Sequence, residues 1–236
     1  MKPFETVATA RISDGTLLAL HRRGDDLFIH LDGEELMSSR CHGSEAALAE
    51  LSLAEMPATG YPRVLIGGLG LGYTLRSALA MLPPRAEVTV AELLPAVIEW
   101  NRRLIPESAR ALADPRVRLR IQDVAAVLSE APAGRYEAIL LDVDDGPSAV
   151  CFRSNLGLYE RDGLLRLKRC LTDGGVLAVW SAQSDPSFAK LMRRCGYDVR
   201  TQSVRGYRRK GSRYVVFLGR NVDTRRRGGR RKWPHG

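Results

Sequence analysis

Val64, Leu65 and Ile66 run directly into Gly67-Gly68-Leu69-Gly70-Leu71-Gly72, and a helical pattern starts at Tyr73. An apolar strand turning through glycines into a helix constrains this chain more than any other feature. Glycines at such a turn let the backbone approach a ligand and let loop N–H groups point at it. The alternation then repeats. Tyr73 to Met81 reads as a helix ended by Pro83-Pro84, and Glu87 to Ala91 as a second strand. Pro95 opens a helix to Leu104. Val117 to Ile121 is a third strand, Ala125 to Ser129 a short helix, and Tyr136 to Asp142 a fourth strand. A helix from Leu158 to Cys170, closed by Asp173-Gly174-Gly175, precedes a fifth strand, Val176 to Trp180. After a helix from Pro186 to Cys195, two β segments, Asp198 to Val204 and Arg213 to Leu218, flank a basic turn. Continuous apolar runs such as Ile139-Leu140-Leu141 mark strands buried on both faces. The order predicts an α/β fold with a doubly wound, mostly parallel, Rossmann-like sheet.

Upstream the pattern differs. Residues 6–31 alternate in short stretches broken by Asp14-Gly15, Gly24-Asp25 and Asp32-Gly33, which predicts small antiparallel hairpins. Ser44 is the expected N-cap of a helix that Pro57 stops. The expected division is therefore residues 1–58, a β-hairpin region with a connecting helix; residues 59–220, a nucleoside-binding α/β domain; and residues 221–236, a basic tail. With 44% hydrophobic residues the chain can bury a sizeable core. No window approaches the ~18 uninterrupted apolar residues that span a bilayer, and no apolar segment follows Lys2, so a cytoplasmic protein without a membrane partner is expected. Cys41, Cys151, Cys170 and Cys195 are widely spaced and form no metal-type pair, so they read as reduced thiols and no metal is expected.

Charge is uneven. Residues 189–236 hold 16 Lys/Arg against two acids, whereas the rest of the chain is mildly acidic. The arginines around Gly228-Gly229 read either as a solvated tail or as a phosphate-binding arm for nucleic acid.

Three strand ends carry the chemistry. The loop spacing Gly68, Gly70, Gly72 does not meet the dinucleotide fingerprint. Glu92, at the end of the second strand, is placed to accept both hydroxyls of a ribose, and Asp123, beyond the third, an adenine amino group. A nucleoside without a pyrophosphate fits better than a dinucleotide. The alternatives are a surface acid for Glu92 and an N-cap for Asp123. Asp142, Asp144 and Asp145 crowd the end of the fourth strand, where like charges repel unless a cation or a shared proton offsets them. They could orient and deprotonate an amine, bind a metal through carboxylates alone, or form a solvated acidic loop.

The strand-loop segment Val64 to Arg76, Ala91-Glu92, Asp114 to Val117, Asp123, Asp142 through Asp145 and Leu158-Tyr159 together resemble the spermidine synthase (polyamine aminopropyltransferase) family of the class I S-adenosylmethionine-dependent methyltransferase fold. The resemblance covers residues 60–181 and implies a seven-stranded sheet of order 3-2-1-4-5-7-6. It matches Gly68, Gly70, Gly72, Glu92 and Asp123 to the nucleoside-binding positions, Asp142 to the amine-activating aspartate and Asp145 to a second substrate-binding aspartate. It implies S-adenosylmethionine or its decarboxylated form as co-substrate, a small-molecule amine acceptor, and allows a homodimer.

The sequence also departs from that pattern. Leu71 replaces the aspartate that holds the aminopropyl nitrogen, Leu36 stands where a glutamine is expected, and Cys41-His42-Gly43 replaces Tyr-His-Glu, with Glu45 displaced. Three functions stay open: aminopropyl transfer to an amine, methyl transfer to a small molecule or RNA, and nucleoside binding without catalysis.

Overall fold

The computed structural model describes residues 3–12, 14–143, 146–147, 155–206 and 212–222. Asp145 and the basic tail from residue 223 onward lie outside the described residues. Two sheets form the frame. Strands β1 (Glu5–Arg11), β2 (Leu17–Arg23), β3 (Asp26–Leu31) and β4 (Glu34–Ser38) make a four-stranded antiparallel meander in sequence order. The larger sheet comprises β5 (Arg63–Gly67), β6 (Glu87–Glu92), β7 (Val117–Ile121), β8 (Tyr136–Leu141), β9 (Leu171–Ser181), β10 (Tyr197–Arg205) and β11 (Arg213–Asn221). Its order is β10-β11-β9-β8-β5-β6-β7, the 3-2-1-4-5-7-6 arrangement implied by the resemblance.

The apolar runs explain which strands are central. Every residue of β8 is buried, as are four of five in β5, and the two pair in parallel from Val64–Ala138 to Gly67–Leu141. Fully burying one such leucine or isoleucine is worth about 1.5–3 kcal/mol. The chain winds one way from β5 through β6 to β7 and the other way through β8 to β9, so the strand order reverses between β5 and β8. Loops leaving the carboxyl ends of these two strands diverge and open a crevice there.

Helices α1 (Gly43–Glu55), α2 (Tyr73–Met81), α3 (Pro95–Leu104) and α4 (Pro106–Leu112) come first in the chain, and α5 (Val124–Glu130), α6 (Leu156–Tyr159), α7 (Arg161–Cys170) and α8 (Pro186–Arg194) follow. One core cluster joins Leu18, Leu20 and Ile29 of the meander to Leu48, Val64, Ile66 and Leu75, so the small sheet is sealed onto the large one by apolar packing. The start of α1 is pinned to the far end of the chain. Gly43 donates its N–H to the Gly206 carbonyl at 2.9 Å, and a Cβ at Gly43 would lie 2.9 Å from the Arg205 carbonyl oxygen.

Several local expectations are corrected. Ser44 is not an N-cap: His42 flanks α1, and Ser44 lies inside the helix with its hydroxyl donated to Glu45. Asp173-Gly174-Gly175 does not close a helix. The turn already ends at Cys170, and these residues lie within β9, where the pairing with β8 shifts register. Strands β1 and β4 extend the expected hairpins, and α4 was not foreseen because its apolar face is only Ala111 and Leu112 behind Pro106.

Candidate active site

A cavity of about 510 Å³ opens at the carboxyl ends of the parallel strands and is roofed by the meander. Its floor is Gly68 and Gly70 after β5, Glu92 at the end of β6, Asp123 after β7 and Asp142 after β8. Met37 on β4, Glu45 on α1, Trp180 on β9 and Tyr214 on β11 close the other side. Five carboxylates line it (Glu35, Glu45, Glu92, Asp123 and Asp142), and among the described lining residues there is no lysine, arginine or histidine. The field inside attracts cations.

The glycine loop is shaped by close approach. Gly68 has φ of +88°, and a Cβ there would lie 2.1 Å from the Asp142 carbonyl oxygen. Gly70 faces Met37 across the cavity edge, and its carbonyl accepts a hydrogen bond from Asn101 Nδ2 at 2.7 Å, which fixes the crest of the loop from α3. Gly72 does not reach the cavity: it flanks α2 in a left-handed conformation against Ser108 and Asn101. Leu71 is 2% exposed and packs into the main core, so its side chain does not enter the cavity either.

Glu92 is buried with both oxygens engaged. Oε2 accepts from the Leu69 N–H at 2.9 Å and Oε1 from the Leu94 N–H at 2.8 Å. Burial pushes its carboxyl above the ordinary range, while these backbone donors pull the other way. Asp123 is an N-cap, the alternative weighed above for it. Its Oδ1 caps α5 by accepting from the Ala125 N–H at 2.7 Å, and the residue also lines the cavity.

Asp142 and Glu45 lie at the opposite side of the glycine loop from Glu92. Thr74 Oγ1 donates to Asp142 Oδ2 at 2.8 Å, and Ser44 Oγ donates to Glu45 Oε2 at 2.5 Å. Burial raises Asp142 to about 6, against the Thr74 hydrogen bond. Glu45 rises to about 7, first through burial and then through the Asp142 charge. The sequence named Glu45 only as the displaced glutamate of the family's Tyr-His-Glu element and not as a site residue; a carboxylate in the first turn of a helix is usually explained by the helix dipole alone. His42, the histidine nearest this region in sequence, turns away from the cavity. It stacks on Tyr73 at 4.1 Å and its Nδ1 meets the Ser39 carbonyl.

The fold and the crevice define an α/β protein of the methyltransferase-like class, with its cavity at the topological switch point. The spermine/spermidine synthase domain model matches residues 45–195, and the chain belongs to that family. It is 34% identical over 117 residues to putrescine N-methyltransferase 3 of Nicotiana tabacum, covering 49% of this chain and 29% of the relative. It is 32% identical over 166 residues to the polyamine aminopropyltransferase of Mycobacterium tuberculosis (strain ATCC 25618 / H37Rv), covering 69% of this chain and 30% of the relative. The chain thus spans less than a third of the length of these relatives. The crystal structure of spermidine synthase from Thermotoga maritima superposes with a TM-score of 0.73 at 17% identity, over 92% of this chain and 74% of that one. Among the described residues no helix is long and apolar enough to cross a membrane, and no group of His, Cys, Asp or Glu could hold a metal ion.

Proposed function

We propose that the protein transfers a carbon group from a sulfonium nucleoside to a small cationic amine, with decarboxylated S-adenosylmethionine as donor and aminopropyl transfer as the reaction. The observation that carries this reading is the cavity of five carboxylates without a lysine, arginine or histidine among its described residues. Both the sulfonium and the ammonium are cations, and the decarboxylated donor brings no carboxylate into a negative site. Gly68, Gly70, Glu92 and Asp123 form the nucleoside end, with Gly72 supporting the loop from behind. When bound, the nucleoside supplies an electrophilic carbon beside its sulfur. Asp142 holds the amine and takes its proton; Asp145 is assigned to the same amine through the family likeness. Residues 59–220 carry the nucleoside site and residues 1–58 roof it. The reduced Cys41, Cys170 and Cys195 suit a cytoplasmic setting.

Methyl transfer to the amine is the second reading. It is favoured by the burial of Leu71, which leaves no acid at the position where the family pattern holds the aminopropyl nitrogen, and by the likeness to a putrescine N-methyltransferase. Single-turnover product analysis with a polyamine panel and both donors tests the two. Aminopropylated product supports the first; methylated product alone replaces it with the second.

A further inference from the structure

We infer that Glu45 is the charged neighbour of Asp142 and that the two carboxyl groups, facing one cavity, together receive and deprotonate the acceptor amine. This deepens the transfer reading above and rests on it. The two groups come from separate elements, Glu45 from the first turn of α1 and Asp142 from the end of β8, and both line one cavity. Each is fixed by one hydroxyl. Ser44 holds Glu45, and Thr74 holds Asp142 while its Oγ1 also lies 3.5 Å from the Glu45 carbonyl. The groups facing Glu45 are Asp142 from β8, Tyr73 from α2 with Arg76 over its ring, Cys41 from the segment before α1, and Glu35 and Tyr214 across the cavity from β4 and β11. On β10, Arg205 approaches α1 through its carbonyl at Gly43.

Two buried carboxyl groups in one pocket lose their protons in two steps that belong to the pair. With Asp142 near 6 and Glu45 near 7, the pair carries one negative charge between those values and two above them. An ammonium entering the doubly ionised pair passes its proton to the Asp142 carboxylate. The freed nitrogen lone pair forms the new N–C bond, the C–S bond breaks with its electrons kept by sulfur, and the neutral thioether leaves. Glu45 strengthens Asp142 as a base by adding its own negative charge. An acid raised toward neutrality also narrows the gap to an amine whose ordinary value is about 10.

The test has two readouts. In the first, carboxyl-carbon NMR follows Glu45 in the ligand-free protein. Glu45 should titrate near 7, and Asp142→Asn, which removes the neighbouring charge, should move it down by about a unit. A Glu45 titration unmoved by Asp142→Asn overturns the pairing. In the second, kcat/KM is followed against pH. The wild type should rise in two steps, and Glu45→Gln should lose the upper one, so that its deficit grows from about twofold at pH 6 to about tenfold at pH 8.5. Glu45→Asp should restore the upper step in part. A deficit equal at every pH, in a variant whose melting curve stays cooperative, assigns Glu45 to packing and overturns the inference. The titration needs no turnover, so a wild-type protein that transfers nothing to any amine defeats the proposed function, whereas an unmoved Glu45 defeats the pair.

Discussion

The Thr74 hydroxyl donates to the Asp142 carboxylate at 2.8 Å, tying the first turn of α2 to the end of β8 across the strand-order reversal. Asp142 is thereby held toward the cavity by an element that also carries the glycine loop. One unit therefore positions both the glycine loop and the Asp142 carboxylate.

Asp142→Asn should leave nucleoside affinity within a few-fold and lower turnover on an amine by ~10² or more, because the proton acceptor is gone while the cradle is intact. Isothermal titration with methylthioadenosine and single-turnover rates measure the two effects separately. Unaltered turnover would remove Asp142 from the chemistry.

Glu92→Ala should abolish nucleoside binding. A ligand at ~100 times its dissociation constant adds about 2.7 kcal/mol of stability to the wild type, and that increment should vanish in a thermal-shift assay. The apo variant should also melt lower, since the Leu69 and Leu94 N–H groups lose their acceptor. Retained stabilisation by adenine nucleosides would show that the ribose is held elsewhere.

Stability should fall as pH rises through the neutral range. Glu45 and Asp142 have folded values above their ordinary ones of 4.5 and 3.8, reaching about 7 and about 6. Between about pH 4 and 7 the folded state therefore binds more protons than the unfolded state, and the slope of unfolding free energy with pH is negative. The stability these groups contribute when protonated is lost above pH 7. Glu45→Gln mimics the protonated form and should stabilise the apo protein at pH 8 by on the order of 2 kcal/mol. Urea unfolding at pH 5.5 and pH 8 checks both the slope and its loss.

How much of this was legible beforehand depended on whether a signal was local. β5, β6, β8 and β9 announce themselves as apolar runs because strands buried on both faces need no polar alternation. Glu92 and Asp123 could be placed at the cavity because one ends β6 and the other follows β7, and the carboxyl ends of strands in this topology open on the crevice. Glu45 was legible only as a displaced family glutamate and not as a neighbour of Asp142. Its partner lies 97 positions downstream, and its neighbour Ser44 invited a capping explanation that the structure assigns to carboxylate support instead. Trp180 and Tyr214 were not singled out, since nothing within their own strands marks them, and only the antiparallel pairing of β9 with β11 brings their tilted rings to 5.1 Å beside the cavity.

Restoring the family's acid by Leu71→Asp should not restore any donor contact. The side chain points into a core where it is 2% exposed, so the substitution buries an unpaired carboxyl and should destabilise the fold by about 3 kcal/mol or more. Chemical denaturation reads the loss. A stable Leu71→Asp protein with faster aminopropyl transfer would mean that the loop rotates in the working enzyme.

The junction of Gly43 with Gly206 sets the order in which the molecule can be completed. Residues 63–142, which hold the cavity floor, pair with one another through β5, β6, β7 and β8, so these contacts need nothing from the later chain. The seat of α1 against α2 and β9, by contrast, is completed only by the return of β10 and β11, where Gly206 meets Gly43 and Arg220 joins Glu55 across 165 positions. Closing so long a loop is slow relative to local contacts. The last stretch of chain to be made therefore fastens the first helix in its seat.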